Sequence, residues 1–204
     1  MRKADLKKNH EALDATIARY RAFMVKVIGA QRVIATAQEK RDLAESILLR
    51  LCANWESFVE NHLVDCINCD PLRFSKFLGV TTLKHPSASL CLALLFGGGY
   101  RDFHSYGDLK GFSKKILVEN SNPFLAVTTK QSNLIDEVYT IRNYLSHLSG
   151  KSRRTLHEMY KKSHNMTRFL EPGQFVLAYG ASRFREYFDA FEGASTSMKN
   201  WYST

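Results

Sequence analysis

Across residues 41–66 the apolar side chains return at helical spacing, and no other feature constrains the fold as much. Leu43, Ile47, Leu51, Trp55, Phe58 and Leu63 form one stripe, while Glu45, Arg50, Asn54 and Glu60 take the opposite face. A stripe this wide is buried only if other helices cover it. The N-terminal part repeats the pattern with Leu6, Leu13, Ile17, Tyr20, Met24 and Val27. Gly29 marks an interruption, after which Val33 and Ile34 resume the stripe. Residues 1–40 are therefore expected to be a long N-terminal helix packed on the core. Pro71 and the residues before it close the second helix.

The second half continues in the same mode. Leu134, Ile135, Val138, Ile141 and Leu145 share a helix face, with Ser132 or Asn133 as its cap and Gly150 as its stop. Lys151-Ser152-Arg153-Arg154 reads as a basic connector. Residues 155–169 predict another helix, Pro172-Gly173 a turn, and residues 178–191 a last helix. The tail, 193–204, is small and polar apart from Met198, Trp201 and Tyr202. The middle is less regular. Pro86 and Ser87 announce a helix over 89–96, and Gly97-Gly98-Gly99 ends it. Residues 101–111 read as a loop or short turns, and 112–118 as a helix turn or more before Asn120-Ser121-Asn122-Pro123. Residues 80–83 and 124–129 are rich in strand formers but too short to require a sheet. The expectation is one all-α helical bundle spanning residues 1–204, without internal repeats.

Composition bounds the partners. Of 204 residues, 45% are hydrophobic, enough for a real core and too many for a disordered chain. The formal net charge of +9 favours acidic partners, nucleic acid first and a membrane surface second. The start of the chain lacks a secretory apolar run, and no stretch reaches the ~18 apolar residues of a membrane span. The chain thus reads as cytoplasmic and not membrane-embedded, with Cys52, Cys66, Cys69 and Cys91 reduced.

Chemistry concentrates in Ile141-Arg142-Asn143-Tyr144-Leu145-Ser146-His147. Asn143 and His147 are four apart and stack on one helix face, and Arg142 lies about 100° around the helix from Asn143. Ile141 and Leu145 anchor the other side. Arginine can hold a phosphate by two prongs, and histidine can move a proton near neutral pH. In the last turn of its helix, His147 also meets exposed carbonyls that favour the imidazolium. Lys151, Arg153 and Arg154 follow directly and are candidate RNA-binding residues. The bland reading is a surface arginine and a helix-terminal histidine.

The run Arg142-Asn143-Tyr144-Leu145-Ser146-His147 resembles the signature of the HEPN superfamily, an arginine followed by a polar residue, with a histidine four to six residues on. Trp55-Glu56-Ser57-Phe58 adds the aromatic and acidic look of an earlier helix in that family. The resemblance is to the RNase-type members of toxin and phage-defence systems. It implies an all-helical, two-fold homodimer whose paired motifs form one composite endoribonuclease site without metal or cofactor. By that resemblance His147 transfers protons, Arg142 holds the scissile phosphate, and Asn143 orients His147 or bonds the phosphate. The products would carry 2′,3′-cyclic phosphate and 5′-hydroxyl ends. An antitoxin or defence-system partner is implied as well. The family's tyrosine two residues after the histidine is absent, since Ser149 stands there. The alternatives are a catalytically inactive module of that type that binds RNA or a protein, and a structural interaction protein using its N-terminal helix.

Other features read as structural. Cys66 and Cys69 have a metal-like spacing but lack a second close pair, so buried or incidental thiols are expected rather than zinc ligands. His157 and His164 are expected to be a solvated pair. The three glycines at 97–99 lack the Lys-Ser/Thr ending of a phosphate loop. Tyr160 is a candidate for stacking on a base, with Lys161 and Lys162 beside it. Trp55 and Phe58 belong to the core, and Glu56 and Glu60 to salt bridges at its edge.

Overall fold

Thr36 launches the longest uninterrupted helix. Its hydroxyl accepts from Glu39 N–H at 3.2 Å while the Glu39 carboxylate accepts from Thr36 N–H at 2.5 Å, a reciprocal cap. The computed structural model describes residues 4–29, 36–97 and 103–201, and no β-strand occurs among them. From that cap α2 runs Ala37–Cys69, starting before and ending after the stretch its apolar stripe marks. It is buried on most of its circumference: Leu48, Leu51, Cys52, Trp55, Leu63 and Ile67 are fully enclosed. Each large side chain so buried contributes roughly 1.5–3 kcal/mol.

Three helices cover α2. They are α1 (Leu6–Gly29), α6 (Thr129–His147) and α8 (Pro172–Trp201), with α4 (Ala88–Phe96) on a further side. Leu13, Ile17, Tyr20 and Met24 of α1 are buried in the same core as α2 and α8, so this helix is part of the bundle. Val33, Ile34, Gly98 and Gly99 lie outside the described residues. Gly97 ends α4 in the left-handed region at φ 57°, as a terminal glycine can without penalty.

Several boundaries differ from the sequence reading, each for a local reason. Residues 101–111 are not a loop throughout, because Ser105 caps α5 (Tyr106–Ile116) by accepting from Asp108 N–H at 3.1 Å. Tyr106, Leu109, Phe112 and Ile116 then face the core. Residues 80–83 and 124–129, read as too short to require a sheet, contain no strand, and Pro123–Leu125 is a short 3-10 turn. The cap of α6 is Thr128, not Ser132 or Asn133; it shares a reciprocal cap with Gln131. Gly150 does not stop α6. Leu148 does, at φ 45°, and Gly150 opens α7 (Gly150–His164). Residues 151–154 are therefore the first turns of a helix, not a connector, and α7 ends five residues before the expected 169. The polar tail is also helical, as α8 reaches Trp201 with Ala194, Ser195 and Met198 buried. Residues 178–181 interrupt α8, since Tyr179, Gly180 and Ala181 are all left-handed (φ 54°, 67°, 61°).

Candidate active site at the junction of α6 and α7

α6 is fixed along its length before it reaches the motif. Ile135, Val138 and Ile141 are fully buried, and the Asp136 carboxylate accepts from Tyr106 N–H at 2.5 Å. Burial pushes the Asp136 carboxyl above its usual range, against that hydrogen bond. The rotation of the helix then divides the motif. Arg142 turns towards α2, where its Nη2 lies 3.4 Å from Glu56 Oε1; the two side chains are 24% and 12% exposed. The same carboxylate oxygen accepts from the Cys52 thiol at 3.7 Å. Asn143 and His147 sit on the solvent face. The expected edge of three polar groups is thus a half-buried ion pair beside two exposed side chains.

The helix ends abruptly after His147. Leu148 N–H donates to Tyr144 C=O at 2.8 Å, and its left-handed backbone costs a non-glycine residue roughly 1–2 kcal/mol. The Leu148 side chain is 71% exposed. Ser149 then caps α7, its hydroxyl accepting from Ser152 N–H at 3.1 Å. Two residues therefore separate His147 from the first turn of a new helix. Lys151 and Arg154 are exposed there. Their charges add to the positive end of the α7 dipole and make this junction attractive to anions.

Arg153 is engaged differently. Its guanidinium lies 4.1 Å over the Phe169 ring. It also bears on Tyr144, whose hydroxyl donates to Glu171 Oε2 at 2.9 Å. Burial, then the hydrogen bond to Glu171 and its charge, raise the Tyr144 pKa, and Arg153 opposes them. Tyr160, a candidate for stacking on a base, is fully buried and stacks on Phe175 at 4.1 Å. Lys161 pairs with Glu158 at 2.8 Å on the exposed face of α7.

His157 and His164 are not a solvated pair. His157 Nε2 donates to Thr167 C=O at 3.0 Å. His164 Nε2 lies 3.0 Å from Glu137 Oε2, which places a proton on that nitrogen, and Tyr187 Oη donates to the same oxygen at 2.9 Å. Glu137 is buried, so one carboxylate from α6 clasps α7 and α8 together. Desolvation and the Glu137 charge hold the Tyr187 phenol well above its usual pKa. The sequence hides this cluster because its members lie 27 and 50 residues from Glu137. The only available signal was an acidic residue between the apolar positions of α6.

All four cysteines are free thiols, and no group of three potential metal ligands converges among the described residues. Among those residues, no helix is long and apolar enough to cross a membrane. Comparison with known proteins finds no matching family model, no matching curated protein and no matching solved structure.

Proposed function

We propose that this chain is a metal-independent endoribonuclease acting as a two-fold homodimer. The observation that carries the reading is the pairing of exposed Asn143 and His147 with the exposed cations Lys151 and Arg154, four and seven residues beyond His147 across a tight helix junction. A phosphate drawn to the start of α7 would lie beside an imidazole. In the proposed reaction the ribose 2′-oxygen attacks phosphorus and loses its proton to a base. The 5′-oxygen leaves and takes a proton from an acid, giving a 2′,3′-cyclic phosphate and a 5′-hydroxyl. Both proton transfers are met if two copies of His147 face one linkage, which is the chemical argument for a dimer. Exposed Leu148 offers apolar surface for that contact. Arg142, steered by Glu56, stabilises the charge that develops on the phosphoryl oxygens. The resemblance to HEPN proteins extends the reading to a toxin or phage-defence effector in the cytoplasm, with an antitoxin or defence-system partner.

The test is cleavage of single-stranded RNA in excess chelator with end-group analysis. His147→Ala and Arg142→Ala are each expected to slow cleavage about 10²- to 10⁴-fold. DNA, lacking the 2′-hydroxyl, stays intact. Cleavage at the wild-type rate by both variants, each still folded and dimeric, refutes the assignment. The Glu56–Arg142 ion pair favours a second reading, a non-catalytic RNA-binding module in which the arginine is structural. Salt-sensitive RNA binding without cleavage supports that alternative.

A further inference from the structure

α3 (Leu72–Leu78) packs against α5, and its Phe74 and Ser75 are buried. Helical spacing therefore turns Leu72, Arg73, Lys76 and Phe77 outward. Leu72 and Phe77 are 57% and 52% exposed. They do not stand as isolated projections. With Val118, Arg73, Lys76 and Lys115 they line a groove of about 490 Å³ between the two helices. Its lining holds three cations and no carboxylate. None of those cations has an ion-pair partner among the described residues, and Lys114 beside them has none either. Glu119 is the acid in the adjoining hollow, alongside Arg73 and Lys114.

We propose that this groove docks an acidic amphipathic segment of a partner protein. Apolar side chains of the segment would fill the space over Leu72, Phe77 and Val118, and its carboxylates would meet Arg73, Lys76 and Lys115. Charge complementarity selects this occupant. A second copy of the chain fits poorly, because its 29 basic residues outnumber its 20 acidic ones. RNA fits poorly as well: two of the three apolar lining residues are aliphatic, and base recognition calls for stacking surfaces and edge-directed hydrogen bonds. The inference stands apart from the ribonuclease reading, since neither the groove nor its cations belong to the α6–α7 junction.

The experiment uses the full chain and a fluorescein-labelled peptide of about 18 residues, with leucines at i, i+4 and i+7 and glutamates elsewhere. Fluorescence anisotropy is expected to show saturable binding that weakens with salt. Phe77→Asp and the double variant Lys76→Glu/Lys115→Glu should each weaken it at least about tenfold. Val25→Asp, at a still more exposed apolar site on α1, should leave it unchanged. These positions are exposed, so the variants fold; circular dichroism confirms it, and Leu72→Ser gives an independent reading of the apolar floor. Absence of saturable binding overturns the proposal, as does equal affinity for a peptide with serine in place of leucine. Retention of affinity in Phe77→Asp overturns it too. Competition by an oligouridylate whose own binding is lost in Phe77→Asp would reassign the groove to nucleic acid.

Discussion

His62 makes the stability of this protein sensitive to mild acid, by an amount that follows from its surroundings. The ring is fully buried, with Phe58 at 5.2 Å, Phe124 at 5.7 Å and His10 at 4.5 Å between ring centroids. Desolvation, helped by the nearby His10, lowers its pKa from 6.5 to about 3. The folded protein therefore keeps this imidazole neutral at pH 5, whereas the unfolded chain protonates it. Stability from this group is complete above pH 6.5 and is lost as pH falls towards the folded value. At pH 5 the loss is about 2 kcal/mol, because the unfolded state gains about 1.5 pH units of protonation at about 1.36 kcal/mol each. The figure depends on the unfolded pKa and changes little for any folded value below about 4. His62→Leu removes the titration. Any packing penalty of the leucine is the same at every pH, so the comparison across pH isolates the imidazole. Urea denaturation of both proteins at pH 7.5 and pH 5 is the assay. The gap in unfolding free energy should shift by about 2 kcal/mol in favour of the leucine variant on acidification. A gap constant to within about 0.5 kcal/mol would refute the reasoning, for it would mean the ring is equally protonated in both states.

Three further outcomes follow from local geometry. Leu148→Gly should stabilise the protomer by about 1 kcal/mol, because glycine adopts the left-handed backbone freely; thermal unfolding at a concentration too low for the proposed dimer should rise by about 2–4 °C. Tyr187→Phe removes one hydrogen bond to a buried carboxylate and should cost about 1.5–3 kcal/mol by urea denaturation, whereas Glu137→Leu, which strands both donors, should cost at least as much. Gly173→Ala should destabilise by about 1–3 kcal/mol in the same assay. A Cβ there would lie 2.7 Å from the Arg41 backbone oxygen, and relieving the clash strains the Gly173 N–H bond to Glu45 Oε1 at 2.7 Å.

Legibility varied along the chain with the range of the forces involved. The stripes of α1, α2 and α6 were readable because a helix repeats every 3.6 residues whatever it packs against. The motif could be placed near the end of α6 for the same reason. Its surroundings could not. Arg142 turns to Glu56 because α2 crosses α6 at that height, a relation between residues 86 positions apart. Arg153 lies over Phe169, and Tyr160 is sealed under Phe175, for similar reasons. Boundaries failed where a neighbouring cap outweighed the expected signal. Thr128 with Gln131 outranked Ser132 and Asn133 as a start, and Leu148 accepted a strained backbone before Gly150 could act as a stop.

By itself, the sequence determined that this chain is helical, which faces of its main helices are apolar, and where along α6 an arginine, an amide and an imidazole lie. Those are properties of local periodicity and residue chemistry. Tertiary structure alone decided which of these groups meet solvent, which are held by a carboxylate from another helix, and that Glu137, His164 and Tyr187 converge at all. The physical reason is that helix-to-helix crossings are set by packing the whole core, and no local stretch of sequence contains that sum.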